Sequence, residues 1–506
     1  MTTRLSIPAQ AAAWLHARVN GRLLTDSRKV ADGDGFIAWP GAATDARRFV
    51  PGALAAGVSA CVVEDDGASG FDFQDDRIAT YAGLKAASGP IAAAYFEAPS
   101  EHLDVVAVTG TNGKTSTTWF LAQALERLGR RCGVVGTLGV GEPGAMVSTG
   151  LTTPDPVLLQ SQLRRFVDEG FTACALEASS IGIVERRLDA MRFDVAVFLN
   201  FTQDHLDFHG SMQAYWDAKK SLFVWPGLKA AVINIDDQKG LELHAALAGS
   251  GLDLWTFSCE PSPAVARLQA RGLTYGDGSL SFDVVEGTQI HRITTSMVGK
   301  FNVSNLLAAM AAMRAMNLSL EDIVAACAHL APVPGRMDAL ALDGLPMVVI
   351  DYAHTPDALE KVLSALRPVA QSRGGQLWCV FGCGGDRDRA KRPLMAAMAE
   401  KYADNLVVTS DNPRTENPLT IIDEVLTGLK RRDAAQTEVN RAMAISATLT
   451  RARPQDVVLL AGKGHEEYQE INGVKLPFSD LAHAHAGLNA RPTSVPTGGL
   501  VMMSLQ

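Results

Sequence analysis

The segment that decides the fold is Val105-Val106-Ala107-Val108-Thr109-Gly110-Thr111-Asn112-Gly113-Lys114-Thr115-Ser116. A short β-rich run leads into a glycine-containing turn, and apolar residues then recur at helical spacing: Phe120, Leu121, Ala124, Leu125 and Leu128. A turn of this kind between a strand and a helix is typical of a phosphate-binding loop. Glycines let backbone N–H groups approach phosphate, and the start of a helix favours negative charge. The segment therefore predicts that Lys114 reaches the β- and γ-phosphates of a nucleotide and that the Thr115 hydroxyl binds Mg²⁺.

The loop departs from the full phosphate-loop spacing, because Val108 stands where the first glycine is expected. The alternative is an ordinary strand–helix turn that happens to contain a lysine. The strand before the turn and the helix after it favour the nucleotide site.

Strand-like and helix-like segments alternate around this loop. The central block has short apolar strands at 172–176 and 195–199, and a helical pattern at 159–167. Further along, the apolar runs are 347–350, 377–381, 406–409 and 457–460. The alternation predicts βαβ units, parallel sheets and an α/β fold.

The length of 506 residues suggests about three domains. Linker-like stretches at 97–101 and 331–335 divide the chain. We predict domains at 1–98, 99–331 and 332–490, followed by a flexible tail at 491–506.

The bulk composition limits the class of protein. Hydrophobic residues make up 47%, which allows large cores, and the net charge of −9 argues against a nucleic-acid partner. No apolar run reaches the ~18–20 residues of a membrane span. Residues 1–19 are interpreted as an Ala-rich helix without a cleavage signal. The seven cysteines form no CxxC pair and indicate buried thiols. We therefore expect a cytoplasmic protein. A monomer is expected as well, although composition does not bear on the oligomeric state.

Polar or glycine-rich segments follow the four strands of the third block. Ligands gather at the carboxyl ends of strands in open parallel sheets, so these segments are candidates for binding. They are Asp351-Tyr352-Ala353-His354, Gly382-Cys383-Gly384-Gly385-Asp386-Arg387, Asp411-Asn412-Pro413-Arg414 and Gly462-Lys463-Gly464-His465-Glu466.

An ordered series of motifs resembles the Mur ligase family. One short motif could arise by chance, but a series over nearly the whole chain is specific. Besides the phosphate loop it comprises Thr25-Asp26-Ser27-Arg28, Thr152-Thr153-Pro154-Asp155, Glu177-Ala178-Ser179-Ser180, Asp204-His205-Leu206-Asp207, Gly299-Lys300-Phe301-Asn302, Gly335-Arg336, Asp351-Tyr352-Ala353-His354 and Asp411-Asn412-Pro413-Arg414.

The resemblance implies an ATP-dependent ligase that forms an amide bond in peptidoglycan precursor synthesis. It implies three α/β domains: an N-terminal UDP-binding domain, a central P-loop ATPase-like domain with a parallel sheet, and a C-terminal Rossmann-like domain. The substrate would be UDP-MurNAc-L-Ala-D-Glu, whose D-glutamyl carboxylate becomes an acyl phosphate before an amino acid attacks it.

Glu177 and His205 each follow a predicted strand beside the loop, and parallel strands would bring both to the γ-phosphate. A carboxylate suits Mg²⁺, whereas a histidine is a less usual ligand, and a hydrogen-bonded loop histidine is the alternative. The resemblance implies that this pair binds a second metal, so that two Mg²⁺ are expected.

Lys219 matches the family's carbamylated lysine, N6-carboxylysine. A carbamate converts the cation into an anionic metal ligand and requires a neutral amine, so the site would have to lower the lysine pKa. A solvated helix lysine is the alternative. The expected catalytic residues are Lys114, Glu177, His205 and Lys219, and the expected metal ligands are Thr115, Glu177, His205 and Lys219.

For ATP, the resemblance adds Asn302 and Arg336 to the loop itself, with Asp351 and His354 as further candidates. Arg336 could stabilise charge on the transferring phosphate, or it could merely cap a helix. The expected ATP-binding residues of the loop are Gly110, Thr111, Asn112, Gly113, Lys114, Thr115 and Ser116.

For the UDP-muramoyl dipeptide, the resemblance implies contacts from the first and second blocks. Two departures from the family pattern concern this site: Ile181 replaces a common histidine, and Glu185 replaces a common glutamine. An ionised Glu185 cannot donate a hydrogen bond, which puts its contact in doubt. The expected residues are Thr25, Ser27, Thr44, Thr152, Thr153, Ser179, Glu185 and Arg187.

The Asp-Asn-Pro-Arg segment resembles the one that distinguishes diaminopimelate-adding ligases from lysine-adding ones. Meso-2,6-diaminopimelate carries an extra carboxylate, which the Arg414 guanidinium can pair through two hydrogen bonds. An ordinary turn after a strand is the alternative. The expected residues are Arg387, Asp411, Asn412, Pro413, Arg414, Gly462 and Glu466.

Two other functions share part of this pattern. A folylpolyglutamate synthase shares the ATP loop, but the UDP-type motifs and Asp411–Arg414 speak against it. A regulatory P-loop switch would bind nucleotide without ligating anything, and it would not need the polar segments at 382, 411 and 462.

Overall fold

The structure is a computed structural model that describes residues 3–41, 44–260, 266–276, 279–297 and 299–491. It divides into two compact units, one formed by 1–296 with 301–331 and the other by 297–300 with the chain from Pro332 onward. All but the first residue of the predicted tail at 491–506 lies outside the described residues.

The first unit begins with a five-stranded parallel sheet in the order β1-β5-β4-β3-β2. Its strands are fully apolar in the centre and pack against helices on both faces. The elements are β1 (Thr3–Leu5), α1 (Pro8–His16), β2 (Leu23–Leu24), β3 (Gly35–Ala38), α2 (Val50–Ala55), β4 (Ala60–Glu64), β5 (Ile78–Tyr81) and α3 (Leu84–Tyr95).

The predicted helix at 1–19 is wrong at its start. Residues Thr3–Leu5 form β1, which pairs with β5 in the register Thr3↔Ala79. The helix begins only at Pro8, whose fixed φ and missing N–H suit the first helical position.

The same unit continues with an eleven-stranded sheet in the order β16-β15-β14-β13-β12-β11-β6-β10-β7-β8-β9. Its strands are β6 (Asp104–Thr109), β7 (Cys132–Gly136), β8 (Gly139–Glu142), β9 (Ala145–Val147), β10 (Ala173–Glu177), β11 (Val195–Phe198), β12 (Ala230–Asn234), β13 (Asp253–Ser258), β14 (Leu268–Gly276), β15 (Ser279–Glu286) and β16 (Gln289–Thr295). Its helices are α4 (Lys114–Arg127), α5 (Pro156–Asp168), α6 (Ser180–Val184), α7 (Leu206–His209), α8 (Met212–Lys220), α9 (Gln238–Leu247), α10 (Lys300–Ala315) and α11 (Leu320–Cys327).

Strand β6 lies inside the parallel part of this sheet, between β10 and β11. The strands predicted at 104–109, 172–176 and 195–199 are confirmed as these three, and the two predicted helices are confirmed as α4 and α5. The carboxyl ends of β6, β10 and β11 therefore meet at one edge of the sheet.

The second unit contains a six-stranded sheet in the order β17-β18-β22-β19-β20-β21, parallel except at β17, and a hairpin. The four predicted strands are confirmed as β18, β19, β20 and β22. The elements are β17 (Asp338–Leu340), β18 (Met347–Asp351), α12 (Pro356–Ser372), β19 (Leu377–Phe381), α13 (Lys391–Tyr402), β20 (Asn405–Thr409), α14 (Pro418–Leu426), β21 (Ala435–Glu438), α15 (Arg441–Arg451), β22 (Val457–Ala461), β23 (Tyr468–Ile471), β24 (Val474–Pro477) and α16 (Asp480–Asn489).

The predicted α/β class with parallel sheets in three blocks is confirmed. The domain boundary predicted near residue 98 falls between the two sheets of the first unit and stays a prediction. All seven cysteines are buried and free, as expected of small apolar side chains. Within the described ranges, no helix is both long and apolar enough to cross a membrane.

A buried ion pair joins two helices of the second unit. The Arg441 guanidinium, at the start of α15, donates to both Asp480 carboxylate oxygens at 2.7 and 2.6 Å, and both side chains are fully buried. Burial of a charge is costly unless it is paired, so each partner depends on the other.

We expect Asp480→Ala to destabilise the second unit by about 3–5 kcal/mol, because Arg441 is left as an uncompensated buried charge. The measurement is urea unfolding of the full chain, with hydrogen exchange of the β22 amides to locate the effect. Lys401→Ala is the matched control, since that lysine is exposed and lies 3.9 Å from Glu360. Equal unfolding curves for the two variants would contradict the prediction.

Candidate active site

The loop at 110–113 leaves β6 and leads into α4, and two glycines give it its shape. Gly110 and Gly113 have φ angles of +154° and +89°, which side-chain-bearing residues rarely adopt. A Cβ on Gly113 would lie 2.2 Å from Asn305 Oδ1 on α10. The Asn305 amide in turn approaches Asn302 Oδ1 at 3.4 Å, so the predicted ATP residue Asn302 lies beside the loop.

Asn200, just after β11, holds the loop in place. The Asn112 N–H donates to Asn200 Oδ1 at 2.9 Å, and Asn200 Nδ2 donates to the Asn112 carbonyl at 3.0 Å. The Thr111 N–H donates to the Asn200 carbonyl at 3.0 Å. Asn200 was missed by the sequence analysis, although its position after a strand beside β6 was a signal.

Lys114 and Lys219 converge on the same carbonyl oxygen. Lys114 Nζ donates to the Gly110 and Thr111 carbonyls at 2.9 Å, and Lys219 Nζ donates to the Gly110 carbonyl at 2.8 Å. The Lys219 side chain, on α8, is 1% exposed and lies 4.4 Å from the centre of the Tyr215 ring. Burial, with the charge of Lys114, lowers the Lys219 pKa well below its usual range.

His205 stands immediately before α7 with a φ of +53°, a conformation uncommon for a residue with a side chain. Burial lowers its pKa, and the charges of Lys114 and Lys219 lower it further, against the opposing effect of Asp204. The imidazole is therefore neutral near pH 7. Lys114 and the start of α4 carry positive charge at this edge of the sheet, which suits an anionic phosphate.

Glu177, the last residue of β10, is 1% exposed, and its carboxylate accepts hydrogen bonds from the residue that follows β7. Thr137 donates to it twice, from the backbone N–H to Oε1 at 2.8 Å and from the hydroxyl to Oε2 at 3.2 Å. A Cβ on Gly136 would lie 2.2 Å from Glu177 Oε1, so this glycine makes room for the carboxylate. The sequence analysis missed Gly136 and Thr137, which end a strand at the same edge.

Hydroxyl groups extend from Glu177 toward the predicted dipeptide residues. Thr152 and Thr137 hydroxyls lie 3.1 Å apart, and the Thr153 hydroxyl donates to the Glu177 carbonyl at 2.8 Å. Thr153 also lies 2.8 Å from the Ser179 hydroxyl, and its carbonyl accepts from Arg187 Nη1 at 3.0 Å. The structure thus brings Thr152, Thr153, Ser179 and Arg187 together.

Thr25, on the N-terminal sheet, joins this group through Asp155. Its side chain lies beside the Asp155 carboxylate, which caps α5 and lies near Arg187. Burial raises the Asp155 pKa, against the opposing effects of Thr25 and Arg187. Lys85 Nζ donates to Glu185 Oε2 at 2.8 Å. Within the described part of the chain, Ser27 and Thr44 make no side-chain hydrogen bond to this group.

A second group of predicted residues lies in the second unit, at the ends of β20 and β22. Asn412 Nδ2 donates to Glu466 Oε2 at 2.8 Å, and its Oδ1 accepts from the Glu470 N–H at 3.0 Å. Gly462 has a φ of +113°, and a Cβ there would lie 2.5 Å from Asp411 Oδ2. The structure brings Asp411, Asn412, Gly462 and Glu466 together, as the strand ends predicted.

Arg414 follows Pro413 with a φ of +49°. Its Nη1 donates to the Gly385 carbonyl at 2.8 Å, and its Nε lies 3.5 Å from Glu470 Oε2, with 22% of the side chain exposed. Pro413 is buried, whereas Arg387, on the loop after β19, is exposed. Arg414 therefore ties that loop to the hairpin and still reaches solvent.

Arg336, Asp351 and two aromatic residues form a third group, also in the second unit. The Arg336 guanidinium lies 4.4 Å over the Tyr352 ring, and its buried Nε has no hydrogen-bond partner among the described residues. Burial raises the pKa of Asp351, against the effect of Arg336. Burial and Arg336 lower the pKa of His465 to about 4. His465 was missed as a site residue by the sequence analysis.

Within the described ranges, no group of three or more His, Cys, Asp or Glu side chains could hold a metal by itself. The donors beside the loop are of mixed kinds: the Glu177 carboxylate, the neutral His205 imidazole and the buried Thr115 hydroxyl. The carboxylate and hydroxyl oxygens fit Mg²⁺, which keeps few protein ligands and fills its shell with water and phosphate oxygens, whereas the imidazole nitrogen is a less usual ligand.

Curated relatives resemble this chain over almost its entire length. A protein of Acidovorax sp. (strain JS42) is 54% identical over 489 residues, covering 95% of this chain and 97% of the relative. A protein of Pseudomonas putida is 46% identical and covers 92% and 95%. Both bear the name UDP-N-acetylmuramoyl-L-alanyl-D-glutamate--2,6-diaminopimelate ligase.

Solved structures share the fold. A structure under the same ligase name has a TM-score of 0.63 at 35% identity, covering 93% of this chain and 94% of that one. MurF ligase from Thermotoga maritima in complex with ADP has a TM-score of 0.66 at 20% identity, covering 92% and 96%. Folylpolyglutamate synthase from Mycobacterium tuberculosis has a TM-score of 0.60 at 18% identity, covering only 74% of this chain and 92% of that one. The last two show the fold alone.

Two family models match parts of the chain that carry most of the predicted site residues. The Mur ligase middle domain matches residues 108–313, and the Mur ligase, glutamate ligase domain matches residues 335–464. With relatives above 30% identity over more than nine tenths of the sequence, the chain belongs to the Mur ligase family.

Proposed function

We propose that this protein is the ATP-dependent ligase that adds meso-diaminopimelate to the D-glutamyl residue of UDP-MurNAc-L-Ala-D-Glu in peptidoglycan precursor synthesis. The observation that carries the proposal is the 54% identity, over 95% of the chain, to a relative named for this reaction. The alternative, a folylpolyglutamate synthase, is supported only by a fold neighbour of 18% identity. The UDP-type motifs of this chain speak against it.

The reaction proceeds in two steps. The D-glutamyl carboxylate attacks the γ-phosphorus of ATP, ADP leaves, and an acyl phosphate forms. The amine of diaminopimelate then attacks the acyl carbon, and phosphate leaves as the amide forms. In the first step the D-glutamyl carboxylate and the γ-phosphate, both anions, must approach each other. Lys114 and the loop N–H groups of 110–116 would offset the repulsion between them. Asn302 and Arg336 complete the proposed ATP contacts.

We propose two Mg²⁺ ions, held by Thr115, Glu177, His205 and a carbamylated Lys219. The donor chemistry beside the loop supports this assignment. Mg²⁺ would neutralise charge on the phosphates. Lys219 is suited to carbamylation, because its lowered pKa favours the neutral amine, and a neutral amine can add carbon dioxide at Nζ.

The UDP-muramoyl dipeptide would bind along the hydroxyl groups that extend from Glu177. Thr152, Thr153, Ser179 and Arg187 would hold the peptide, while Thr25, Ser27 and Thr44 would hold the UDP end. Glu185 is engaged by Lys85, so it would meet the substrate as an acceptor only.

Diaminopimelate would bind in the second unit. Arg414 and Arg387 would pair its extra carboxylate, and Glu466, with the Gly462 carbonyl, would hold the ammonium at the same far stereocentre. Asp411, Asn412 and Pro413 would shape this pocket. Localisation in the cytoplasm and a monomeric state complete the proposal.

We expect phosphate release only when ATP, UDP-MurNAc-L-Ala-D-Glu and diaminopimelate are all present. Lys114→Ala should lose this activity while keeping the fold, because the loop no longer offsets the charge of the phosphates. The measurement is phosphate release against a panel of amino acids, with circular dichroism for the fold. Phosphate release without any amino acid would instead support a nucleotide switch.

Lys219→Ala should be nearly inactive, whereas Lys220→Ala, its exposed neighbour on α8, should retain activity. Carbon-13 NMR in labelled bicarbonate should show a carbamate signal that Lys219→Ala lacks. A small carboxylic acid should partly restore the alanine variant. Full activity of Lys219→Ala would rule out the modified lysine as a metal ligand.

We expect diaminopimelate to be preferred over lysine by at least ~10³-fold in kcat/KM, because lysine leaves a polar site unpaired. Arg414→Ala should lose most of this preference, since each charge-assisted hydrogen bond contributes roughly 1.5–3 kcal/mol. Arg431→Ala, an exposed arginine of the same unit, is the control. Equal kcat/KM values for the two amino acids in the unsubstituted protein would contradict the assignment.

A further inference from the structure

Lys463 is a fully buried cation that the proposed reaction does not yet use. It lies between Gly462 and Gly464, just after β22, and its side chain is 0% exposed. Its Nζ lies 3.1 Å from Glu466 Oε2, 3.1 Å from Asn412 Oδ1 and 3.8 Å from Asp411 Oδ1. A buried ammonium is costly unless it is paired and hydrogen-bonded, and here these three oxygens surround it.

These contacts leave Lys463 unsuited to touch a substrate. Its Nζ donates hydrogen bonds to two side-chain oxygens and lies 3.8 Å from a third, and none of the side chain is exposed. The centres of the Tyr468 and Phe478 rings lie 5.6 and 6.0 Å from the same Nζ. Lys463 can therefore act only through the residues it holds.

The Glu466 carboxylate is held through only one of its two oxygens. Its Oε2 accepts from both Lys463 Nζ and Asn412 Nδ2, at 3.1 and 2.8 Å. Its Oε1 receives no hydrogen bond from any described residue, and the side chain is only partly buried. The carboxylate is thus fixed at one end and left able to accept a hydrogen bond at the other.

Asn412 is oriented by the same cation. Its Oδ1 accepts from Lys463 Nζ and from the Glu470 N–H at 3.0 Å, so its Nδ2 must face Glu466. Arg441 fixes the backbone nearby, because its Nη2 donates to the carbonyl of Ala461 at 2.9 Å, immediately before Gly462. The whole arrangement is anchored in the interior of the second unit.

We propose that Lys463 is a positioning residue for the amino-acid substrate. By holding Glu466 Oε2 and Asn412 Oδ1, it turns Glu466 Oε1 toward the ammonium on the far stereocentre of diaminopimelate. This inference rests on the proposed function and adds to it a residue that sets specificity without touching the substrate.

The test is Lys463→Met, which keeps an unbranched chain and removes the charge. We expect kcat/KM for diaminopimelate to fall about 10- to 100-fold through a raised KM, because a charge-assisted hydrogen bond to the substrate is weakened. KM values for ATP and for the UDP-muramoyl dipeptide should not change. Lys475→Met is the matched control, since Lys475 is exposed and lies 3.9 Å from the same Tyr468 ring.

A substrate without the far ammonium separates positioning from general damage. With L-2-aminopimelate, which keeps the far carboxylate, Lys463→Met and the unsubstituted protein should have the same kcat/KM. In a double-mutant cycle, Lys463→Met should cost little once Glu466→Gln is present, because both changes affect one contact. Equal losses with both amino acids, or additive losses in the cycle, would overturn the inference.

Lys463→Gln provides a second variant if the methionine variant unfolds, because glutamine retains a donor for Glu466. It should lose less activity than Lys463→Met and show the same dependence on the far ammonium; a loss independent of that ammonium would overturn the inference. Failure of the unsubstituted protein to use diaminopimelate at all would instead overturn the proposed function. The two failures are therefore distinguishable.

Discussion

The parallel pairing of β6 between β10 and β11 is the constraint on which the candidate ATP site depends. Parallel strands place their carboxyl ends at one edge, so the phosphate loop, Glu177 and the segment before His205 arise side by side. Local sequence then decides only the details. Glycine at 136 and at 113 admits the Glu177 carboxylate and the Asn305 amide, which a Cβ would displace. The site is thus a product of topology first and of side-chain choice second.

The second unit uses the same arrangement with a different charge balance. The ends of β18, β19, β20 and β22 supply its polar segments, in which Asp411 and Glu466 lie against the buried cation of Lys463. At the starts of α16 and α15, Asp480 likewise pairs with Arg441. Beside the phosphate loop, the Lys114 ammonium and the start of α4 instead provide positive charge. This difference suits a triphosphate in one place and a zwitterionic amino acid in the other.

The parts of the molecule that local sequence determines were predictable. The strand–loop–helix at 104–127 and the polar segments after four strands follow from periodicity and glycine placement, and the family motifs supplied the roles proposed for Glu177, His205 and Lys219. The parts that depend on distant pairing were not. Strand β1 was taken for helix because its partner lies some 75 residues away. Asn200 and Thr137 escaped notice, and Lys463 was given no role of its own, because only the assembled sheets bring these residues to their partners.

The carbonyl oxygen of Gly110 accepts hydrogen bonds from both Lys114 and Lys219. A carbonyl has two lone pairs, so this oxygen is saturated by two amines from different helices. Any chemistry that adds a group to the Lys219 amine removes at least one of its N–H donors and so alters the donor that this oxygen meets. A lysine more than a hundred residues away thus shares a backbone contact with the loop's own lysine.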